Sequence, residues 1–215
     1  MKVLCISDSL GLPRPGLNYD ETWISLLKKS YTSFDFICIF QRAITTDVLV
    51  SGWEEIGKPG ADTLEFYEPD LIILQLGIVD CAPRYLSHYS LLFKLINNSP
   101  KSLQNLFWVL IKKFKKRDIK SVDVPIEKFK SNVINYLERC KNFKIKRVII
   151  IKICNPDNIM VKSNPTIKEA VLMYNKAYED LAKMFPFVTL IDPLNSELYN
   201  QDIFLDGYHP NAFGN

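Results

Sequence analysis

The chain opens Met1-Lys2-Val3-Leu4-Cys5-Ile6-Ser7-Asp8-Ser9-Leu10-Gly11. Val3–Ile6 is apolar at every position, without the alternation of a half-buried strand, so it reads as a strand covered on both faces. Ser7-Asp8-Ser9 then sets two hydroxyls and a carboxylate at its carboxyl end. Four more apolar runs read as strands: Phe34–Phe40, Leu71–Leu76, Arg147–Ile153 and Val188–Ile191. Helical patterns lie between them. Thr22–Tyr31 carries Trp23, Leu26 and Leu27, and Ala61–Tyr67 is short and stopped by Pro69. Ile126–Cys140, entered at Pro125, has Phe129, Val133, Tyr136 and Leu137 at helical spacing; Ile167–Phe185 has Ala170, Tyr174, Ala177 and Leu181. Strand alternating with helix predicts an α/β domain built on a parallel sheet with right-handed crossovers.

A length of 215 residues suits one domain, 1–215, with room for an insertion. The net charge of +3 gives no case for nucleic-acid binding. The five cysteines, Cys5, Cys38, Cys81, Cys140 and Cys154, are odd in number and lack CxxC spacing. They read as reduced packing residues rather than a disulfide framework or a zinc site, so no metal and no cofactor is expected. The opening apolar run is too short for a signal h-region, and no stretch offers about 18 uninterrupted apolar residues. A cytoplasmic location is expected.

Residues 83–118 exceed a minimal crossover and carry a helix of their own, roughly Ser102–Phe114. Leu103, Leu106, Phe107, Leu110, Ile111 and Phe114 make one apolar stripe, which Trp108 and Val109 widen; Lys112, Lys113, Lys115, Lys116 and Arg117 follow. One reading is a core helix whose terminal cations complement its dipole. The others are a pocket wall or a homo-oligomer formed through the 102–114 helix, with membrane docking ranked last.

In an open parallel sheet, ligands bind at the carboxyl ends of the strands. Three segments meet that edge: Ser7–Gly11, then Gly77-Ile78-Val79-Asp80, then Asp206-Gly207-Tyr208-His209-Pro210. A serine hydroxyl needs a base to become a nucleophile, and the chain has two histidines, His88 and His209. Asp206 lies three residues before His209. On a tight turn that spacing can hold the carboxylate against Nδ1 and leave Nε2 for a serine. A DxxH pair alone is as readily two surface charges.

Together these segments make the chain resemble the GDSL-like or SGNH hydrolase family. Ser7-Asp8-Ser9-Leu10 resembles the GDSL block, Gly77–Asp80 the GxND block, and Asp206–Asn211 the DGxHPN block; Tyr174-Asn175-Lys176-Ala177-Tyr178 is similar to the helix before the last strand. The resemblance implies a three-layer αβα sandwich, flavodoxin-like, with five parallel strands in the order 2-1-3-4-5 and a helical insertion after strand 3. It implies ester or thioester hydrolysis, with Ser9 as nucleophile, His209 as base and acid, and Asp206 as orienting carboxylate.

The departures lie in the oxyanion hole. The family uses the nucleophile's N–H, a block II glycine N–H and the GxND asparagine. Val79 stands at the asparagine, and the block II glycine matches Thr46 best, with Ala43 second. Losing one such donor costs on the order of 10²–10³ in rate. The chain is therefore a slow hydrolase, one with a substitute donor among Gln41, Arg42 and Arg84, or a former enzyme that keeps a carbohydrate or partner pocket. Arg42, Arg84 and Arg14 also suit a carboxylate or phosphate on the substrate. His88 is expected to be structural, and Asp8 and Asp80 to bond turn N–H groups. The expected substrate is a small or sugar-linked acyl ester, with O-acyl transfer through the same triad as the alternative.

Overall fold

The computed structural model describes residues 1–50, 63–193 and 202–215. Five strands form one parallel sheet: β1 Lys2–Ser7, β2 Asp35–Phe40, β3 Leu71–Gln75, β4 Arg147–Ile151 and β5 Val188–Ile191. Their order is β2-β1-β3-β4-β5. The register aligns Cys5 with Cys38 and Ile73, Ile73 with Ile149, and Ile149 with Thr189.

Because side chains alternate along a strand, β1 to β4 each feed two cores. Leu4, Ile6, Ile72, Leu74, Val148 and Ile150 join the larger one. It is completed by α6 (Ile126–Asn142) and α8 (Ile167–Met184), through residues such as Phe129, Tyr136, Tyr174 and Leu181. Val3, Cys5 and Ile73 join Ile24 of α1 (Trp23–Ser30) on the other face. Burial on both faces is the reason these strands lack polar alternation. Tyr174, Asn175 and Tyr178 tie α8 to the loops at the strand ends. Tyr174 Oη donates to the Val124 carbonyl (2.5 Å) and Tyr178 Oη to that of Leu76 (3.2 Å). The Asn175 side chain pairs both the N–H and the C=O of Ile153.

The remaining helices are α2 (Thr63–Tyr67), α3 (Ile78–Cys81), α4 (Leu91–Asn97), α5 (Lys101–Phe114) and α7 (Asn158–Ser163). The first two residues expected in α2, Ala61 and Asp62, lie outside the described residues. Three helices went unanticipated, α3, α4 and α7; each is short, and the last two are capped by a side chain, Ser90 Oγ and Asp157 Oδ1 respectively. Among the described residues no helix is long and apolar enough to cross a membrane.

The insertion is pinched at its neck, where Arg84 and Asp118 form an isolated bridge and the Arg84 N–H donates to the Ser121 carbonyl (2.8 Å). Within it, the expected division of α5 is not kept, since Trp108 turns inward while Val109 stays exposed with the stripe. No residue of α5 is buried. Trp108, read as an extra edge, packs edge-on against Phe93 of α4 (5.8 Å between centroids). The stripe read as core-facing, Leu103, Leu106, Phe107, Leu110 and Phe114, is exposed.

Candidate active site

Ser9 starts a 3-10 turn directly after β1, and Asp8 Oδ1 accepts the Leu10 N–H (2.9 Å) to set that turn. Ser7, one residue earlier in β1, donates to Gln75 Oε1 instead (2.8 Å), so Ser9 is the hydroxyl that faces outward at this edge.

His209 arrives on a loop closed upon itself. The Leu205 N–H donates to the His209 carbonyl (2.8 Å) and the Asn211 N–H to that of Ile203 (2.9 Å). Gly207 turns this loop at φ +100°, where a side chain would be strained and would strike Asp157 Oδ1. Folded this way, the three-residue spacing puts Asp206 Oδ2 2.7 Å from His209 Nδ1, and Oδ1 also accepts the His209 N–H (3.1 Å). His209 Nε2 lies 3.0 Å from Ser9 Oγ. With the proton held on Nδ1 by the carboxylate, Nε2 is the acceptor for the serine hydroxyl.

Burial lowers the His209 pKa below its ordinary value of 6.5, and the Asp206 bond acts against that. Burial acts to raise Asp206, but its bonds to His209 outweigh it and leave the carboxyl below its usual range. The imidazole is therefore poised as a neutral base. Arg14, whose own pKa is lowered chiefly by burial, donates to the Ser9 carbonyl.

These residues border a cleft of about 680 Å³ that also takes in Arg42, Ala43, Val79, Arg84, His88 and Tyr208. Gly77, at φ +117°, turns the chain from β3 into α3 and carries Val79 to the cleft without lining it. Gln41 uses its N–H on the Ser7 carbonyl (3.2 Å), and its exposed side chain does not line the cleft. Thr46 is not brought to the cleft. It is fully buried, and its N–H (2.9 Å) and Oγ1 (2.5 Å) both donate to Asp80 Oδ1. The residue of that loop at the cleft is Ala43, at φ +61°, the left-handed conformation that favours glycine. The N–H groups of Ser9 and Ala43 make no hydrogen bond among the described residues.

Two further contacts shape the cleft. Arg84 Nε pairs with Asp123 Oδ2 (2.6 Å), and Nη2 donates to the Val79 carbonyl (3.3 Å). His88 Nδ1 meets the same Asp123 oxygen (2.9 Å). Asp123, missed in the sequence, has no nearby motif to mark it. Beneath the site, Asp8 and Asp80 are buried carboxyls pushed up to about 7, each chiefly by burial.

No family model matches the chain, and no curated protein matches it in sequence. Solved structures do match over its whole length. The acetyl xylan esterase AlAXEase superposes with a TM-score of 0.62 at 14% identity, covering 100% of this chain and 93% of its own. A lipase/acylhydrolase from Enterococcus faecalis gives 0.61 at 13%, covering 99% and 88%. A member of the lipolytic protein G-D-S-L family from Veillonella parvula gives 0.57 at 12%, covering 99% and 91%. The chain thus has the fold of the GDSL-like hydrolases.

Proposed function

We propose that the chain is a serine ester hydrolase of the GDSL-like or SGNH kind, with Ser9 as nucleophile, His209 as base and acid, and Asp206 as the carboxylate that orients it. The observation that carries this reading is the relay of 3.0 Å from Ser9 Oγ to His209 Nε2 and 2.7 Å from His209 Nδ1 to Asp206. Ser9 Oγ adds to the ester carbonyl as Nε2 takes its proton. The same proton then goes to the departing alcohol, leaving an acyl-serine. Water, deprotonated by Nε2, adds to that acyl group; its collapse frees the acid and returns the proton to Ser9. The free N–H groups of Ser9 and Ala43 are the donors for the oxyanion, with Val79 unable to supply a third.

The substrate is a small or sugar-linked acyl ester, a class supported by the likeness to an acetyl xylan esterase. Three arginines and one carboxylate border the cleft, and that carboxylate, Asp206, is held by His209. We add that the ester carries a carboxylate or phosphate near the scissile bond, met by Arg42, since Arg84 is already paired with Asp123.

A fluorophosphonate probe read by intact mass tests the chemistry. The expected result is one adduct on the parent protein and none on Ser9→Ala. Equal labelling of both sinks the nucleophile assignment. Paired aryl esters, neutral and carboxylated, test the charge: preference for the anionic ester should fall about tenfold in Arg42→Ala. An unchanged preference removes Arg42 from the substrate site.

A further inference from the structure

The α4–α5 hairpin leaves an apolar stripe with nothing over it. Leu91 is 78% exposed, Val109 63% and Phe114 77%. Single exposed apolar residues are ordinary on a protein surface, but a continuous stripe along a fourteen-residue helix is not. The inner side of α5 is already used, since Trp108 packs on Phe93, so the exposed stripe does not mark a helix that has failed to dock.

Charge decides what covers it. Residues 85–117 hold seven lysines and arginines and no aspartate or glutamate, although the whole chain has 24 acids. Five of the seven stand at the end of α5, at 112, 113, 115, 116 and 117. Arg117 lies over the Tyr85 ring (5.0 Å) and Lys113 over that of Phe114 (5.7 Å). Among the described residues none of the seven pairs with a carboxylate. A second copy meeting this face through the same face would set cation against cation. An anionic lipid surface takes both features at once: apolar side chains enter the boundary between headgroups and acyl chains, and ammonium groups meet lipid phosphates.

We propose that the α4–α5 hairpin docks this protein on an anionic lipid surface, with Leu106, Val109 and Phe114 inserted and the lysines after them on the headgroups. The hairpin adjoins the cleft: Arg84 and His88 border both the cleft and the hollow under Trp108 and Phe93. Docking therefore sets the cleft close to the lipid plane. The proposal stands on exposure and charge and does not depend on the hydrolase reading.

Co-sedimentation of the full chain with vesicles tests it, comparing phosphatidylcholine alone with phosphatidylcholine doped with phosphatidylglycerol. The expected result is binding to the doped vesicles, weakened by added salt and at least about tenfold poorer on neutral lipid. Reversing two exposed cations, Lys112→Glu with Lys113→Glu, should weaken binding by roughly 25-fold or more, at about fivefold per charge near the surface. Leu106→Ser with Phe114→Ser should weaken it as well, with an unchanged thermal transition because neither side chain is buried. No binding to doped vesicles overturns the proposal. So does binding indifferent to the serine pair, or a dimer in sedimentation equilibrium that the serine pair dissociates, which would name a second copy as the occupant.

Discussion

Two histidine–aspartate pairs meet at the same cleft, one with both residues on its wall and the other with His88 alone there, and they differ in burial, partners and charge. His209 is buried and its partner Asp206 is half exposed; Asp123 is buried, at 1%, and its partner His88 is the exposed one. Asp206 spends its oxygens on residues of its own turn. Asp123 is shared among Arg84 Nε, Ser87 Oγ and the His88 N–H as well as the imidazole. The far nitrogen of His209 meets a serine hydroxyl, whereas the His88 ring stacks edge-on with Phe93 (4.7 Å). Burial lowers both imidazole pKa values; next in weight, the Asp206 hydrogen bond opposes this for His209, while the Arg84 charge deepens it for His88. The same two residue types thus make a base when the carboxylate serves the ring and the ring faces a nucleophile. They make a clamp when the carboxylate is shared with a guanidinium that holds a loop.

The largest effect expected from this contrast is in turnover. Ser9→Ala and His209→Ala should each lower kcat/KM for an aryl ester by roughly 10⁴-fold or more, as loss of a triad member does elsewhere. His88→Ala should stay within about tenfold, since it touches no reacting atom. A loss in His88→Ala as deep as that in His209→Ala would erase the distinction between the two pairs.

Exchanging the aspartates separates chemistry from stability. Asp206→Asn should cost roughly 10²–10⁴ in kcat with little loss of stability, because it favours the wrong tautomer at a half-exposed site. Asp123→Ala should behave the other way: about 3 kcal/mol of unfolding free energy is lost because the partly buried Arg84 is left unpaired at the insertion neck, with kcat affected far less. Chemical denaturation beside steady-state kinetics reads both. A stable, inactive Asp123→Ala would mean that this pair belongs to the mechanism.

One of these pairs was legible in the sequence and the other was not. Asp206 and His209 share a turn, so their spacing carries the contact, and Gly207 marks the turn. Asp123 and Arg84 come from the two ends of the insertion, and no local pattern joins them. The strands were legible because burial on both faces strips polar residues from Val3–Ile6 and Leu71–Leu76. Strand 3 and strand 4 end a residue or two earlier than read, at Gln75 and Ile151, because apolar character continues into the loops that line the core. Ala43 was ranked below Thr46 because its positive φ carries no glycine to announce it. The stripe on α5 was found, but periodicity says only which residues share a face, and nothing about what lies against that face.

Buried carboxylates without a cation extend the comparison to a pH-dependent effect. Asp8 and Asp80 have folded pKa values of about 7 against ordinary values of 3.8, owing first to burial. Between those values the folded state holds protons that the unfolded state has released, so their contribution to stability falls as pH rises from about 4 to about 7 and is level above. Asp8→Asn keeps an oxygen for the Leu10 N–H and removes the titration. At about 1.4 kcal/mol per pKa unit it should gain up to about 4 kcal/mol near pH 8, with the gain shrinking to nothing below about pH 4. Thermal unfolding across that range checks it; a gain independent of pH would show that Asp8 is not the group that titrates.

The smallest expected effect probes the field around His209. Its folded pKa lies below 6.5, set first by burial and lowered further by the charges of Arg14 and Arg42. The imidazole must be neutral to accept the Ser9 proton, so kcat/KM should stay high as pH falls through 6.5 and drop only when the depressed pKa is reached. Arg42→Ala removes one of the two cations while leaving burial and the Asp206 bond in place. The acid limb should therefore move upward, by less than the whole depression, because burial is the larger cause. The His88 pair sets the control: its ring is subject to Arg84 rather than Arg42, so His88→Ala should leave the limb where it is. If the limb moved in His88→Ala and stayed fixed in Arg42→Ala, the titrating base would be His88, and the two pairs would have to exchange roles.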